Sequence, residues 1–174
     1  MAPLAEAVGR GDKSIVLLLL AQKDIDVEIE NEKFQRPLYK AISRGDSSIA
    51  EQLLRKGADP NKCPPAEETP LNLNLGRGST SLTYLLLEHG ADVEDKNRSG
   101  ESPLFAAVSQ GNSSLVSILL SKGANPNTTN PAGESALQRA VTQSNVSIAS
   151  LLLSRGANPE LGTWGGSSPL YQGR

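Results

Sequence analysis

Gly100-Glu101-Ser102-Pro103-Leu104-Phe105-Ala106-Ala107-Val108-Ser109-Gln110-Gly111-Asn112-Ser113-Ser114-Leu115 carries two helix starts in one short stretch. The first is Ser102 followed by Pro103. A hydroxyl there accepts a bond from an orphan amide, and Pro at the first helical position has no amide to lose. Leu104, Ala107 and Val108 follow at i, i+3, i+4 spacing, one face of a helix. Gly111 ends that helix, because glycine enters the left-handed conformation at little cost. Asn112 then opens a second helix, with Leu115, Leu119 and Leu120 on one face. Gly123-Ala124 close it, and Asn125-Pro126-Asn127 favours turns over further helix.

The same reading recurs along the chain. Pro-Leu stands at Pro3-Leu4, Pro37-Leu38, Pro70-Leu71, Pro103-Leu104 and Pro169-Leu170, with steps of 34, 33, 33 and 66. The missing member is Ala136-Leu137. Gly57-Ala58, Gly90-Ala91, Gly123-Ala124 and Gly156-Ala157 keep the same period, as do Leu53-Leu54, Leu86-Leu87, Leu119-Leu120 and Leu152-Leu153. Lys23 reads as the single inserted residue behind the step of 34. Thr69, Ser102, Ser135 and Ser168 are expected to cap the first helices, and Ser135 with Gln138 to form a capping box. Asp12, Asp46, Ser79, Asn112 and Asn145 are expected to cap the second helices. Gly45, Gly78 and Gly111 end the first helices. Neither helix is long enough to be stable alone, so like units must stack to bury their apolar faces.

This pattern resembles the ankyrin repeat. The matching stretches are Glu68-Thr69-Pro70-Leu71, Gly100 to Ala107, and Leu86-Leu87-Glu88-His89-Gly90-Ala91-Asp92-Val93. The resemblance implies an all-α repeat fold: an ankyrin-repeat solenoid of stacked helix-turn-helix units with hairpin-like loops. It covers residues 1–174 as one array, with a partial repeat at 1–30, full repeats at 31–63, 64–96, 97–129 and 130–162, and a truncated one at 163–174. The family's His after Pro-Leu, which ties neighbouring repeats, is replaced by Ala5, Tyr39, Asn72, Phe105, Gln138 and Tyr171. Weaker links between repeats are therefore expected. Asn74 stands where the family carries a small Ala, and Pro64-Pro65 makes the second tip irregular. The chain opens and closes inside first helices, as a fragment of a longer protein would.

Composition narrows the function. The net charge is −2, which disfavours binding to nucleic acid by phosphate neutralisation. One cysteine, Cys63, excludes an internal disulfide framework and fits a reducing compartment, cytoplasmic or nuclear. One histidine, His89, excludes a His-rich metal site. The apolar run Ile15 to Ala21 is far short of a membrane span of about 18 residues. Gly9-Arg10-Gly11 and Gly76-Arg77-Gly78 lack the spacing and the lysine of a phosphate-binding loop. Asn-X-Ser/Thr triplets at Asn97, Asn112, Asn127 and Asn145 include two helix caps. The carboxylates are scattered. No catalytic residue, cofactor or metal is expected.

The resemblance implies a concave groove lined by hairpin tips and first helices, taking another protein. One tip position holds Gln35, Glu68, Glu101 and Glu134, an acidic ladder. The ends of the first helices hold Arg10, Arg44, Arg77, Gln110 and Gln143, basic toward the N-terminus. Lys40 and Arg139 lie mid-helix, and Arg98 lies at a tip. Phe34 and Trp164 are candidate aromatic anchors. The expected function is a non-catalytic protein–protein interaction module, monomeric with weak end-to-end association. The alternative is the recognition or regulatory segment of a larger enzyme or nucleotide-switching signalling receptor.

Overall fold

The computed structural model describes residues 3–32 and 35–161. Through these residues run ten helices: α1 (Pro3–Arg10), α2 (Lys13–Leu20), α3 (Pro37–Arg44), α4 (Ser47–Arg55), α5 (Pro70–Leu75), α6 (Thr80–Glu88), α7 (Pro103–Ser109), α8 (Ser113–Ser121), α9 (Ala136–Thr142) and α10 (Val146–Ser154). Among the described residues, extended pairing is limited to one antiparallel bridge, Thr129 to Ser135. The all-α repeat expectation holds.

The chain divides into two compact units, Met1–Asp92 and Val93–Arg174. The first contains α1 to α6 as three helix pairs. Its first helices α1, α3 and α5 pack side by side, as do its second helices α2, α4 and α6. The second unit contains α7 to α10 as two pairs, with α7 on α9 and α8 on α10.

Helix starts follow the sequence closely. The side chains of Asp12, Asp46, Asn112 and Asn145 accept from the amides of Ile15, Ile49, Leu115 and Ile148. Ser102 and Ser135 cap α7 and α9. Two expected caps fail. Thr69 makes no capping bond, because its hydroxyl accepts from Asn72 Nδ2 at 3.3 Å. Ser79 makes none either; its carbonyl instead accepts from Asn74 Nδ2 and Thr83 Oγ1. The capping box at Ser135 is half made. Ser135 Oγ accepts from the Gln138 amide at 3.1 Å, but Gln138 Oε1 is buried without a hydrogen bond. The Gln138 side chain enters the stack instead of folding back. Ser168 lies outside the described residues.

Where Ala136 replaces Pro, the restored amide finds an acceptor: it donates to Thr128 O at 3.0 Å. Beside it the Ser102 and Thr128 hydroxyls lie 2.8 Å apart. The turn between paired helices is left-handed at Gly11, Gly45, Gly78 and Gly111, with φ of 76°, 76°, 71° and 68°. The fourth full repeat places Ser144 there, at φ 55°. In the irregular second tip, Ala66 takes φ 59°, and Glu67 N donates to Pro64 O. The first repeat lacks the glycine that follows the other second helices. Its α2 is 8 residues against 9 for α4, α6, α8 and α10. Its register slips by one between Leu20 and Ile25, around exposed Lys23.

Within each unit, apolar side chains from both helices of a pair fill the space between repeats. Ala41, Ile42, Ile49, Leu53 and Leu54 are buried in the first unit, and Ala140, Ile148 and Leu152 in the second. The five described residues after Pro-Leu are all buried: Ala5, Tyr39, Asn72, Phe105 and Gln138. Asn74 is accommodated by a second polar residue. Its Nδ2 donates to Thr83 Oγ1 at 2.8 Å, and Thr83 Oγ1 donates to Ser79 O at 2.9 Å. Asn74 Oδ1 stays buried without a hydrogen bond.

Candidate binding surface

Three recurring sets of bonds shape the edges and arms of the repeats. The first occupies the column at the ends of the first helices. Arg44 Nη1 donates to Gly9 O at 2.9 Å and Nη2 to Arg10 O at 3.3 Å. Arg77 Nη2 donates to Ser43 O. In the second unit, Gln143 Nε2 donates to Ser109 O at 2.8 Å. Each side chain satisfies carbonyls that the preceding helix leaves open at its C-terminus, where its dipole is negative. Links between repeats are therefore present without the histidine, from side chains one helix end further on.

The second set lies in the loops after the second helices. Glu28 Oε1 accepts from the Asp59 amide at 2.8 Å, and Asn61 Oδ1 from the Asp92 amide at 2.9 Å. In the other unit, Glu94 Oε1 accepts from the Asn125 amide at 2.7 Å, and Asn127 Oδ1 from the Asn158 amide at 2.7 Å. Asn61 and Asn127 also donate to the carbonyls of Gly90 and Gly156. Glu28, Asn61, Glu94 and Asn127 stand 33 apart. Their alternation of Glu and Asn is visible in the sequence, but the amides they hold are set by how one repeat lies on the next.

The third set braces the arms from within. Asn31, Asn97 and Asn130 accept from the amides of Gln35, Glu101 and Glu134 at 3.0 Å. The same asparagines donate through Nδ2 to the side chains of those residues. Glu101 and Glu134 thus turn their carboxylates onto their own arms. Glu134 also binds Arg139 Nη2 at 2.7 Å, and the Arg139 guanidinium lies 5.6 Å from the centroid of buried Phe105. Arg36, not singled out in the sequence, pairs with both Glu28 and Glu30.

The first unit has an open concavity of about 970 Å³. One wall is α1, through Ala5, Glu6, Gly9 and Arg10; the other is the arm from Ile29 to Glu32 with Gln35. Lys40 of α3 also lines it. Arg10 and Lys40 are thus brought together. Arg10 pairs with Glu6 at 2.8 Å on the same helix, whereas Lys40 has no ion pair among the described residues. Arg44 and Arg77 are exposed at the helix ends of the same unit. Glu68 is half-buried on the second arm. In the second unit Arg98, Gln110 and Gln143 are exposed, and Glu101, Glu134 and Arg139 half-buried. Phe34 and Trp164 lie outside the described residues. Among the described residues there is no cluster of His, Cys, Asp and Glu that could hold a metal. None of their helices is long and apolar enough to cross a membrane.

The comparisons agree with this geometry. The family model for ankyrin repeats (3 copies) matches residues 38–130 and 75–163. No curated protein sequence matches the chain. The crystal structure of an ankyrin repeat domain, ABAYE2397 from Acinetobacter baumannii, superposes with a TM-score of 0.83 at 30% identity. That match covers 97% of this chain and 88% of the other. A second ankyrin repeat protein, EF0377, gives 0.81 at 27% identity, with the same coverage of 97% and 88%. Repeats of this kind generally serve as protein–protein interaction modules. With the 33-residue period, the paired helices and the matched family model in agreement, the chain belongs to the ankyrin-repeat family.

Proposed function

We propose that the chain is a non-catalytic module that takes a partner protein on the concave side of its first helices and arms. The carrying observation is the concavity of the first unit, walled by α1 and the arm at 29–35, with Lys40 lining it. Most charged groups nearby are committed inside the protein: Arg10 to Glu6, Arg36 to Glu28 and Glu30. Lys40 is the cation left for a partner's carboxylate among the described residues of that wall. Exposed Ile29 adds an apolar contact. On this reading Arg10, Arg44 and Arg77 border the surface in the first unit. Arg98, Glu101, Gln110, Glu134, Arg139 and Gln143 supply its counterpart in the second, with Glu68 on the second arm. Charge placed this way governs encounter rate and partner choice more than raw affinity.

Arg44→Glu or Arg77→Glu would also cut the links between helices, so Lys40→Glu is the cleaner probe. The immobilised chain and its Lys40→Glu variant are compared for proteins captured from extract of the source cells. The variant should lose captured protein about tenfold, equivalent to about 1.4 kcal/mol, with an unchanged thermal melt. Equal capture by both chains contradicts this use of the surface.

A further inference from the structure

The helix pair α5 and α6 is built with a polar core. After Pro-Leu it buries Asn72, where the pairs before and after it in sequence bury Tyr39 and Phe105. Asn74 replaces Ala41 and Ala107, and Thr83 replaces Ala50 and Val116, all of them buried. Leu87 is half-buried where Leu54 and Leu120 are buried. Each exchange removes apolar area from the stack or adds a polar group that must be hydrogen-bonded there. The bonding is incomplete, because Asn74 Oδ1 is buried without a hydrogen bond.

The helix ends are weak as well. α5 has 6 residues, against 8 in α3 and 7 in α7. Neither α5 nor α6 has a side-chain cap, whereas α3 with α4 keeps one at Asp46 and α7 with α8 keeps two, at Ser102 and Asn112. Ahead of α5, Ala66 holds a left-handed φ of 59°, which strains a residue with a Cβ. In a stacked array each repeat is held by its own stability and by its nearest neighbours, so a deficit of this kind stays local. α5 and α6 are too short to stand alone and pack on each other, so losing one loses both. We propose that α5, α6 and the arm before them open together as one unit in the native ensemble, while α3 and α4 stay folded. Such sub-global openings follow supersecondary boundaries and need less free energy than global unfolding. The opening frees the arm that carries Glu67 and Glu68. It involves no residue lining the concavity of the first unit, so this proposal and the proposed partner surface can fail separately.

Native-state hydrogen exchange of the full chain, resolved by residue, tests this. The amides of α5 and α6 should open at least about tenfold more often than those of α3 and α4, equivalent to about 1.4 kcal/mol. Ser79→Asp supplies the missing cap. Ser79 has φ −76° and ψ 103°, close to the −80° and 90° of Asp12, which caps α2. The variant should slow exchange about fivefold, the worth of a typical cap, and by the same factor in α5 as in α6. Protection in α5 and α6 equal to that in α3 and α4 overturns the proposal. So does slowing confined to the first turn of α6, which marks fraying of one helix end and not the opening of a unit.

Discussion

Ser144 occupies a left-handed position that glycine fills in the four preceding repeats, at φ 55°. Left-handed backbone strains a residue with a Cβ, while glycine loses more freedom on folding. The first effect is the larger, so Ser144→Gly should raise stability by about 0.5–1 kcal/mol, measured as a higher urea midpoint at unchanged slope. Arg44 illustrates a second lesson at this scale. It fits a binding stripe by sequence position, yet its guanidinium donates to Gly9 O and Arg10 O. Arg44→Ala should cost about 0.5–1 kcal/mol, whereas Arg10→Ala, whose partner is an exposed Glu6 on its own helix, should lie within about 0.5 kcal/mol of the unaltered chain. Equal effects from the two substitutions would remove the distinction between a link and a surface charge.

Among the elements, α5 and α6 depart furthest from their neighbours. Asn74 and Thr83 sit where the helix pairs on either side in sequence carry Ala41 with Ala50 and Ala107 with Val116. Thr83→Val alone takes the acceptor from Asn74 Nδ2 and should cost about 1–2 kcal/mol. The double variant Asn74→Ala, Thr83→Val removes both partners and the orphaned Asn74 Oδ1, and should return stability to the starting value or above it. Urea unfolding of the single and double variants checks the sign of the coupling. Element starts and stops were legible because a cap, a proline and a glycine act within a few residues of one another. Thr69 and Ser79 escaped that reading because a nearby asparagine competes for the hydroxyl of one and reorganises the loop of the other. The loop ladder at Glu28, Asn61, Glu94 and Asn127 was harder still. Its acceptors meet amides 31 residues on, a pairing set by how one repeat lies on the next and not by any local spacing. Asn61→Ala, which loses bonds to both the Asp92 amide and Gly90 O, should cost about 1–2 kcal/mol and speed hydrogen exchange at Asp92.

At the scale of the whole molecule, the period and the family were readable from three markers in phase, and the fold followed. The binding surface was legible only as columns of residues. The structure sorts those columns by what each side chain already holds: Arg44, Arg77 and Gln143 reach the preceding helix, Glu101 and Glu134 fold onto their own arms, and Lys40 lines the concavity without an ion pair among the described residues. That division follows from helix stacking, which one sequence does not spell out. The central claim is that a partner protein is held on the concave side. Hydrogen exchange of the chain, alone and with a captured partner, tests it most directly. The account predicts slowed exchange in the arm at 29–32 and in α1 and α3, with the outer helices α4 and α6 unchanged. Protection confined to α4 and α6 would contradict it.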